Sequence, residues 1–213
     1  MSINDKVEDI CYFNKDIYTI DNYIPESTLT SVENFRYSNR SSYPLIDFLK
    51  DNKFREINKY LRGINNKSEY INLINEFNDF IVKSPVLTKP FVVYRGLDVK
   101  LDVKLGDILR NLGFIFASLD RKSAEFYLQN TANCYQNYGN DVGKAIKSLN
   151  GKTLFKINIP SGTHFIDSSY YDHSIQYLVS EIIFSKDITL KVIDIIEEHD
   201  TVIIEAVLVD GSL

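Results

Sequence analysis

Hydrophobic residues in the first half of the chain recur at helical spacing. Between Tyr43 and Phe80 apolar residues return every three or four positions, as one face of an amphipathic helix requires. The positions that share this spacing are Leu45, Phe48, Leu49, Ile57, Tyr60, Leu61, Ile64, Tyr70, Leu73, Ile74, Phe77 and Ile81. Ser84-Pro85 ends the pattern, because proline cannot continue a helix. Residues 1–40 show no clear period, and we predict an N-terminal extension there that is part of the same domain or partly disordered.

After residue 85 the pattern becomes that of β-strands. Six apolar segments predict strands: Phe91–Tyr94, Phe114–Phe116, Thr153–Ile159, Leu178–Phe184, Thr189–Ile196 and Val202–Val209. Asp120 is placed to cap a helix over Arg121–Leu128, and we predict another helix over Asp141–Leu149. Helices followed by strands favour an α+β fold, with an N-terminal helical part and then two packed, mainly antiparallel sheets. We assign residues 41–213 to this domain.

Two of the predicted strands contain charged residues that need an explanation. Glu181 lies in the middle of the apolar run Gln176–Phe184, and alternation places it on one face with Val179 and Ile183. A buried, ionised carboxylate is costly without a partner, so such a residue normally has a cation, hydrogen bonds or a function. Arg95 ends the strand Phe91–Tyr94 in a similar way. Glu205 has the same local surroundings as Glu181, and we assign it no function.

Composition narrows the classes of function. The net charge of −5 argues against a general nucleic-acid binder, which would need a basic face. Cys11 and Cys134 lie far apart and the three histidines lack metal-ligand spacing, so we expect no metal. No apolar run approaches the roughly 20 residues of a membrane span. We expect a soluble monomer without a membrane partner, either cytoplasmic or delivered as an effector without a classical signal peptide.

Three motifs follow one another in an order that resembles a known family. They are Tyr94-Arg95-Gly96, then Gly113-Phe-Ile-Phe-Ala-Ser118-Leu119, then Ser180-Glu181-Ile-Ile-Phe184. Helical residues 54–63 precede the first motif, and the segment Phe155–Thr163 precedes the third. In this order the chain resembles the mono-ADP-ribosyltransferase toxins and effectors of the Arg–Ser–Glu class. The resemblance covers roughly residues 45 to 209.

The resemblance implies a substrate and a set of site residues. NAD would be the substrate, ADP-ribose would be transferred to a macromolecular acceptor, expected to be a protein, and no metal would be needed. Arg95 would bind the phosphates or the adjacent ribose, and the Gly96 backbone would approach the nicotinamide amide. Glu181 would stabilise the ribose cation, and Ser118 would orient it and line the nicotinamide pocket. Asn58 and Arg62, on the preceding helix, would contact NAD.

Two residues depart from the family pattern. Phe116 and Ala117 precede Ser118 where Ser-Thr-Ser is usual, so the residue that commonly contacts the catalytic glutamate is a phenylalanine. Val179 stands two positions before Glu181, where a Glu or Gln usually helps to select the acceptor. Two alternatives therefore stay open, an NAD glycohydrolase and a catalytically inactive binding module.

Each site residue also has an ordinary structural interpretation. Ser118 could belong to a helix cap, Arg95 could form an ion pair with Glu181, and Asn58 and Arg62 could face solvent. A further alternative is that the chain resembles the family in architecture only and does not bind NAD.

Overall fold

The computed structural model of this chain describes residues 53–84, 86, 89–130, 146–148, 151–167 and 181–210. The N-terminal extension predicted over residues 1–40 lies outside these ranges, and its assignment stays a prediction. The same holds for residues 168–180, which precede Glu181.

Three α-helices are described. Helix α1 covers Lys53–Leu61, helix α2 covers Ile71–Val82 after a 3-10 turn at Ser68–Tyr70, and helix α3 covers Arg121–Asn130. Of the apolar positions at helical spacing, α1 and α2 bury Ile57, Leu73, Ile74, Phe77 and Ile81, whereas Tyr60 and Leu61 are half-buried and Ile64, beyond the end of α1, is exposed. The helical half of the prediction is therefore confirmed for the described residues 53–82.

Ten strands are described, and eight of them form one hydrogen-bonded sheet. The strands are β1 Phe91–Leu97, β2 Lys100–Leu101, β3 Ile108–Asn111, β4 Ile115–Ser118, β5 Ile146–Ser148, β6 Lys152–Ile159, β7 Ile166–Asp167, β8 Glu181–Phe184, β9 Ile188–Glu198 and β10 Thr201–Asp210. The order in the large sheet is β3-β9-β10-β6-β1-β4-β8-β7, and β2 pairs with β5 separately. Every described pairing is antiparallel except that of β6 with β10.

The large sheet consists of two halves that pack against each other. The join between β1 and β4 rests on a single register pair, Tyr94 with Ser118, whereas β1 and β6 pair over seven positions. One apolar cluster takes side chains from both sides of this join, such as Val93 and Phe155 from the five-stranded half and Ile182 and Phe184 from the three-stranded half. The α+β architecture with two packed, mainly antiparallel sheets is thus confirmed.

The helices cover the outer faces of the two halves. Helices α1 and α2 bury Ile57 and Phe77 against Phe114 and Ile183 of the three-stranded half. Helix α3 buries Leu128 against the five-stranded half in a separate small cluster. Along a strand, successive side chains therefore point alternately to the inner face of the sheet and to the outer face that a helix covers.

The structure differs from the predicted elements at short segments. Residues 146–148 form strand β5, not part of a helix over Asp141–Leu149, and the rest of that predicted helix lies outside the described residues. The two-residue strands β2 and β7 and the edge strand β3 (Ile-Leu-Arg-Asn) were not predicted, because none of them lies in an apolar run long enough to show a strand pattern.

Candidate functional site

The three motif-bearing strands lie side by side in the sheet. Strand β4 lies between β1 and β8, with Ser118 opposite Tyr94 on one side and opposite Glu181 on the other. Directly opposed residues of an antiparallel pair have their Cα atoms about 4.5–5.5 Å apart. The backbone positions of Arg95, Ser118 and Glu181, which are far apart in sequence, are therefore brought to one place at the join of the two halves.

Arg95 lies on the inner face of β1. It stands opposite Phe155 of β6 and alternates with the core residues Val93 and Leu97. A pocket between the two halves of the sheet is lined by Arg95 and seven other residues: Leu97, Leu109, Asn111, Ile115, Phe155, Ile157 and Leu190. The lining of this pocket is apolar except for the guanidinium of Arg95 and the amide of Asn111, and its volume of about 10 Å³ corresponds to roughly one water molecule.

Gly96 has a packing reason to be glycine. A Cβ at this position would lie 2.3 Å from the carbonyl oxygen of Ala124 and 2.9 Å from Leu128 Cδ2, both on α3. The missing side chain thus allows α3 to rest directly on β1. The predicted approach of the Gly96 backbone to nicotinamide stays a prediction beside this structural role.

Ser118 connects β4 to the start of α3. It is 5% exposed, and its Oγ accepts a hydrogen bond from the Asp120 backbone N–H at 3.0 Å. Asp120 in turn accepts the backbone N–H groups of Lys122 at 3.2 Å and Ser123 at 3.0 Å. The predicted helix cap at Asp120 is confirmed, and Ser118 takes part in the capping turn while it also lies opposite Glu181.

Phe116 is part of the helix-covered core. It stands opposite Ile183 in the register with β8, and its ring centroid lies 5.1 Å from that of Phe54 on α1. An aromatic pair of this kind stabilises the contact between α1 and the sheet. The side chain that replaces the usual serine is therefore used for packing, and the serine directly opposite Glu181 is Ser118.

Asn58 joins α1 to the beginning of β4. Its Oδ1 accepts the Phe114 backbone N–H at 2.8 Å, and its Nδ2 donates to the Phe114 carbonyl at 3.3 Å. The side chain is 7% exposed, so the alternative that it faces solvent is wrong. The amide satisfies both backbone groups of one residue, as a neighbouring strand would.

Arg62 is likewise buried, at 4% exposure, and not solvent-facing. Its Nη2 donates to Asn111 Oδ1 at 3.4 Å, and Asn111 Nδ2 donates to the Gly113 carbonyl. A side chain at Gly113 would place its Cβ 2.6 Å from Asn58 Oδ1, so this turn needs glycine for the close approach of α1. Asn111 was not predicted, since nothing in its sequence neighbourhood distinguishes it from an ordinary polar loop residue.

Glu205 has partners that account for its position in a strand. Its carboxylate accepts hydrogen bonds from Asn158 Nδ2 and Lys156 Nζ, each at 3.0 Å. These bonds, first that of Asn158 and then that of Lys156, lower the pKa of Glu205 below its usual value. A structural interpretation of Glu205 is therefore sufficient.

Val179 and the polar loop before it lie outside the described residues. Within the described ranges, no group of three His, Cys, Asp or Glu side chains is arranged to hold a metal ion. Of the helices described, none has the length and apolar character to cross a membrane.

No protein-family model and no curated protein matches the chain by sequence. Solved structures do match it by fold. The Vis ADP-ribosyltransferase in complex with agmatine has a TM-score of 0.60 and 18% identity, with 87% of this chain and 86% of that chain covered. Vis is a toxin from Vibrio splendidus.

Two further structures contain NAD or an analogue. C3stau2 from S. aureus with NAD has a TM-score of 0.55 and 17% identity over 87% of this chain and 96% of that chain. Exoenzyme S from Pseudomonas aeruginosa, bound to human 14-3-3 protein beta and carba-NAD, has a TM-score of 0.56 and 15% identity over 84% and 80%. The resemblance drawn from the three motifs is thereby confirmed at the level of the fold: this chain has the fold of the mono-ADP-ribosyltransferase toxins.

Proposed function

We propose that this protein is an NAD-dependent mono-ADP-ribosyltransferase that transfers ADP-ribose from NAD to a protein target. The observation that carries the proposal is the register of β1, β4 and β8, which sets Tyr94 opposite Ser118 and Ser118 opposite Glu181. The solved structures that share the fold support NAD as the substrate, since those of C3stau2 and Exoenzyme S hold NAD or carba-NAD.

The proposed binding mode uses the inner face of β1. The Arg95 guanidinium presents a rigid fork of N–H donors that suits phosphate oxygens, and it lines the pocket between the two sheet halves. Arg62, held on the other side of Asn111, is a second cation for the pyrophosphate.

The proposed reaction breaks the bond between nicotinamide and ribose. Nicotinamide leaves with the electron pair of that bond, and the ribose acquires oxocarbenium character. In our proposal the Glu181 carboxylate stabilises this developing positive charge, and Ser118 orients the glutamate. A nucleophile of the target then bonds to the ribose carbon and loses its proton, which gives ADP-ribosylated target and free nicotinamide.

NAD hydrolysis is a second candidate, and Val179 is the observation that favours it. A valine can neither accept a proton nor hydrogen-bond an amide, so it does not select an acceptor as a Glu or Gln would. Water would then attack the ribose in place of a protein nucleophile. Phe116, which packs against Phe54 where the family has a serine, keeps the inactive binding module as a third outcome.

One experiment separates these candidates. Purified protein is incubated with NAD labelled in its adenine, with and without a cell lysate, and the label is followed together with nicotinamide. A transferase attaches protease-sensitive label to lysate proteins, whereas a hydrolase releases free ADP-ribose at the same rate without lysate. Heat stabilisation by NAD without nicotinamide release in either condition would identify a binding module.

A matched pair of variants tests the assigned pocket in the same assay. Arg95→Lys keeps the positive charge but loses the fork, and we expect NAD affinity to fall about 10- to 100-fold, as for the loss of a hydrogen bond to a charged group. Arg110→Lys makes the same change at an exposed arginine on β3, which pairs with Asp187. Equal NAD affinities of the two variants would contradict the assignment of Arg95 to NAD binding.

A further inference from the structure

We propose that Asn58 is a positioning residue for nicotinamide release, which holds the start of β4 and thereby keeps Ser118 opposite Glu181. This inference rests on the proposed function, because it assumes that Ser118 orients the glutamate. It replaces the expectation, drawn from the family resemblance, that Asn58 contacts NAD. The side chain is 7% exposed, and both ends of its amide are bonded to the backbone of Phe114.

The Asn58 amide takes the place of a neighbouring strand at Phe114. Its Oδ1 accepts the Phe114 N–H at 2.8 Å, and its Nδ2 donates to the Phe114 carbonyl at 3.3 Å. A flipped amide would lose both bonds, because N–H would then face N–H and oxygen would face oxygen. Phe114 directly precedes β4, whose pairing with β8 begins at Ile115. A side chain of α1 therefore extends the hydrogen bonding of β4 by one residue.

Strand β4 has few pairings of its own to fix its register. It pairs with β8 at four positions and with β1 only at Tyr94–Ser118. A slip of one residue would turn every side chain of β4 to the other face, and a slip of two would move Ser118 away from Glu181. The two bonds of Asn58 oppose such a slip, because they hold Phe114, four residues before Ser118 on the same extended chain.

The close approach of α1 to this chain depends on Gly113. A Cβ at this position would lie 2.6 Å from Asn58 Oδ1, a distance at which one of the two groups must shift. The Gly113 carbonyl is also held, by the donor Asn111 Nδ2. One helical turn before Asn58, the ring of Phe54 lies 5.1 Å from that of Phe116. Helix α1 therefore contacts the chain at successive positions from Gly113 to Phe116, as a support for β4 requires.

The test separates turnover from NAD affinity in full-chain variants, well below their melting temperatures. Nicotinamide release at saturating NAD, with cell lysate as the source of acceptor, gives the turnover rate, and calorimetry gives the Kd for NAD. We expect Asn58→Ala to lower turnover about 10- to 100-fold, the effect of misplacing a catalytic group by about 1 Å, and to change the Kd less than about twofold. The control Asn158→Ala also loses side-chain hydrogen bonds, but β1 separates its strand from β4, so it should keep both wild-type values.

Gly113→Ala keeps the test decisive if Asn58→Ala does not fold. Its new Cβ displaces Asn58 from Phe114 without removing the amide, so we expect the same loss of turnover at an unchanged Kd. In the double variant the loss should be no greater than in either single variant, because both act through one contact.

Three results would contradict this assignment. A Kd raised about tenfold or more by Asn58→Ala would make Asn58 an NAD ligand. Wild-type turnover and Kd in Asn58→Ala and Gly113→Ala would make it a purely structural residue. Either result overturns the inference and leaves the proposed function standing, whereas a wild type that releases no nicotinamide would overturn both.

Discussion

At the scale of single residues, the partners of a side chain decide between a structural and a chemical role. Glu205 and Glu181 look alike in sequence, since each interrupts an apolar strand. Glu205 is explained by Lys156 and Asn158 on the neighbouring strand. Glu181 is distinguished by its position opposite Ser118, one strand away from Arg95, and it is the glutamate to which we assign chemistry.

The hydrogen bonds of Glu205 predict a pH dependence of stability. Its pKa in the folded chain is lowered, so the ionised carboxylate stabilises the fold above the pKa of a glutamate in the unfolded chain. That contribution is lost as the pH falls through the lower, folded pKa. We expect Glu205→Gln to reduce the free energy of unfolding by up to about 1 kcal/mol near neutral pH, since the pair is partly exposed.

Urea unfolding of wild type and Glu205→Gln at neutral and acidic pH measures this difference. The difference between the two proteins should shrink as the pH falls through the lowered pKa of Glu205 in the folded chain, and it should vanish once the carboxylate is protonated. Glu69→Gln, at an exposed position in the 3-10 turn, is the control that removes the same charge. A destabilisation by Glu205→Gln that stays constant from neutral to acidic pH would show that the carboxylate is not stabilised by its partners.

At the scale of elements, packing against a helix explains one departure from the family pattern, Phe116, and one glycine, Gly96. Phe116 holds α1 through Phe54, and Gly96 admits α3 onto β1. Both residues therefore connect a helix to one of the site strands. The positions of β1 and β4 depend on this packing, so the candidate residues Arg95 and Ser118 lie on packed strands.

Gly96→Ala should disturb the contact between α3 and β1. The new Cβ would meet the Ala124 backbone carbonyl at 2.3 Å, and a backbone atom cannot rotate away as a flexible side chain does. Overpacking of this kind costs about 1–3 kcal/mol. We expect a lower melting temperature, measured by circular dichroism, and a melting temperature equal to that of wild type would show that α3 does not lie on Gly96.

Elements that lie in clear apolar runs were predictable from sequence, the four-residue strands β4 and β8 among them, whereas short elements without such a run were not. The period in residues 54–81 identifies α1 and α2, and the apolar runs of β6, β9 and β10 are long enough to be assigned as strands. Strand β5 was assigned to a helix because Ile146–Ser148 is too short to show alternation. Asp120 was predictable as a helix cap, because an aspartate just before a helix can accept hydrogen bonds from the free backbone N–H groups of the first turn.

At the scale of the whole molecule, the fold brings together residues whose proximity no local pattern reveals. Sequence identified Arg95, Ser118 and Glu181 as candidates through the order of three motifs, and the sheet order β1-β4-β8 makes them neighbours. The sequence does not predict the hydrogen bond between Asn111 and Arg62, because it joins the edge strand β3 to the residue that follows α1. Such contacts between distant elements depend on tertiary packing, which the hydrophobic pattern of a single segment does not predict.

The measurement that tests the central claim most directly is nicotinamide release from NAD by wild type, Glu181→Gln and Glu205→Gln, with cell lysate present as a source of acceptor. If Glu181 stabilises the ribose cation, Glu181→Gln should lower the rate about 100- to 1,000-fold, while Glu205→Gln should keep nearly the full rate. All three proteins should show the same folded circular dichroism spectrum. A Glu181→Gln variant that releases nicotinamide as fast as wild type would contradict the account.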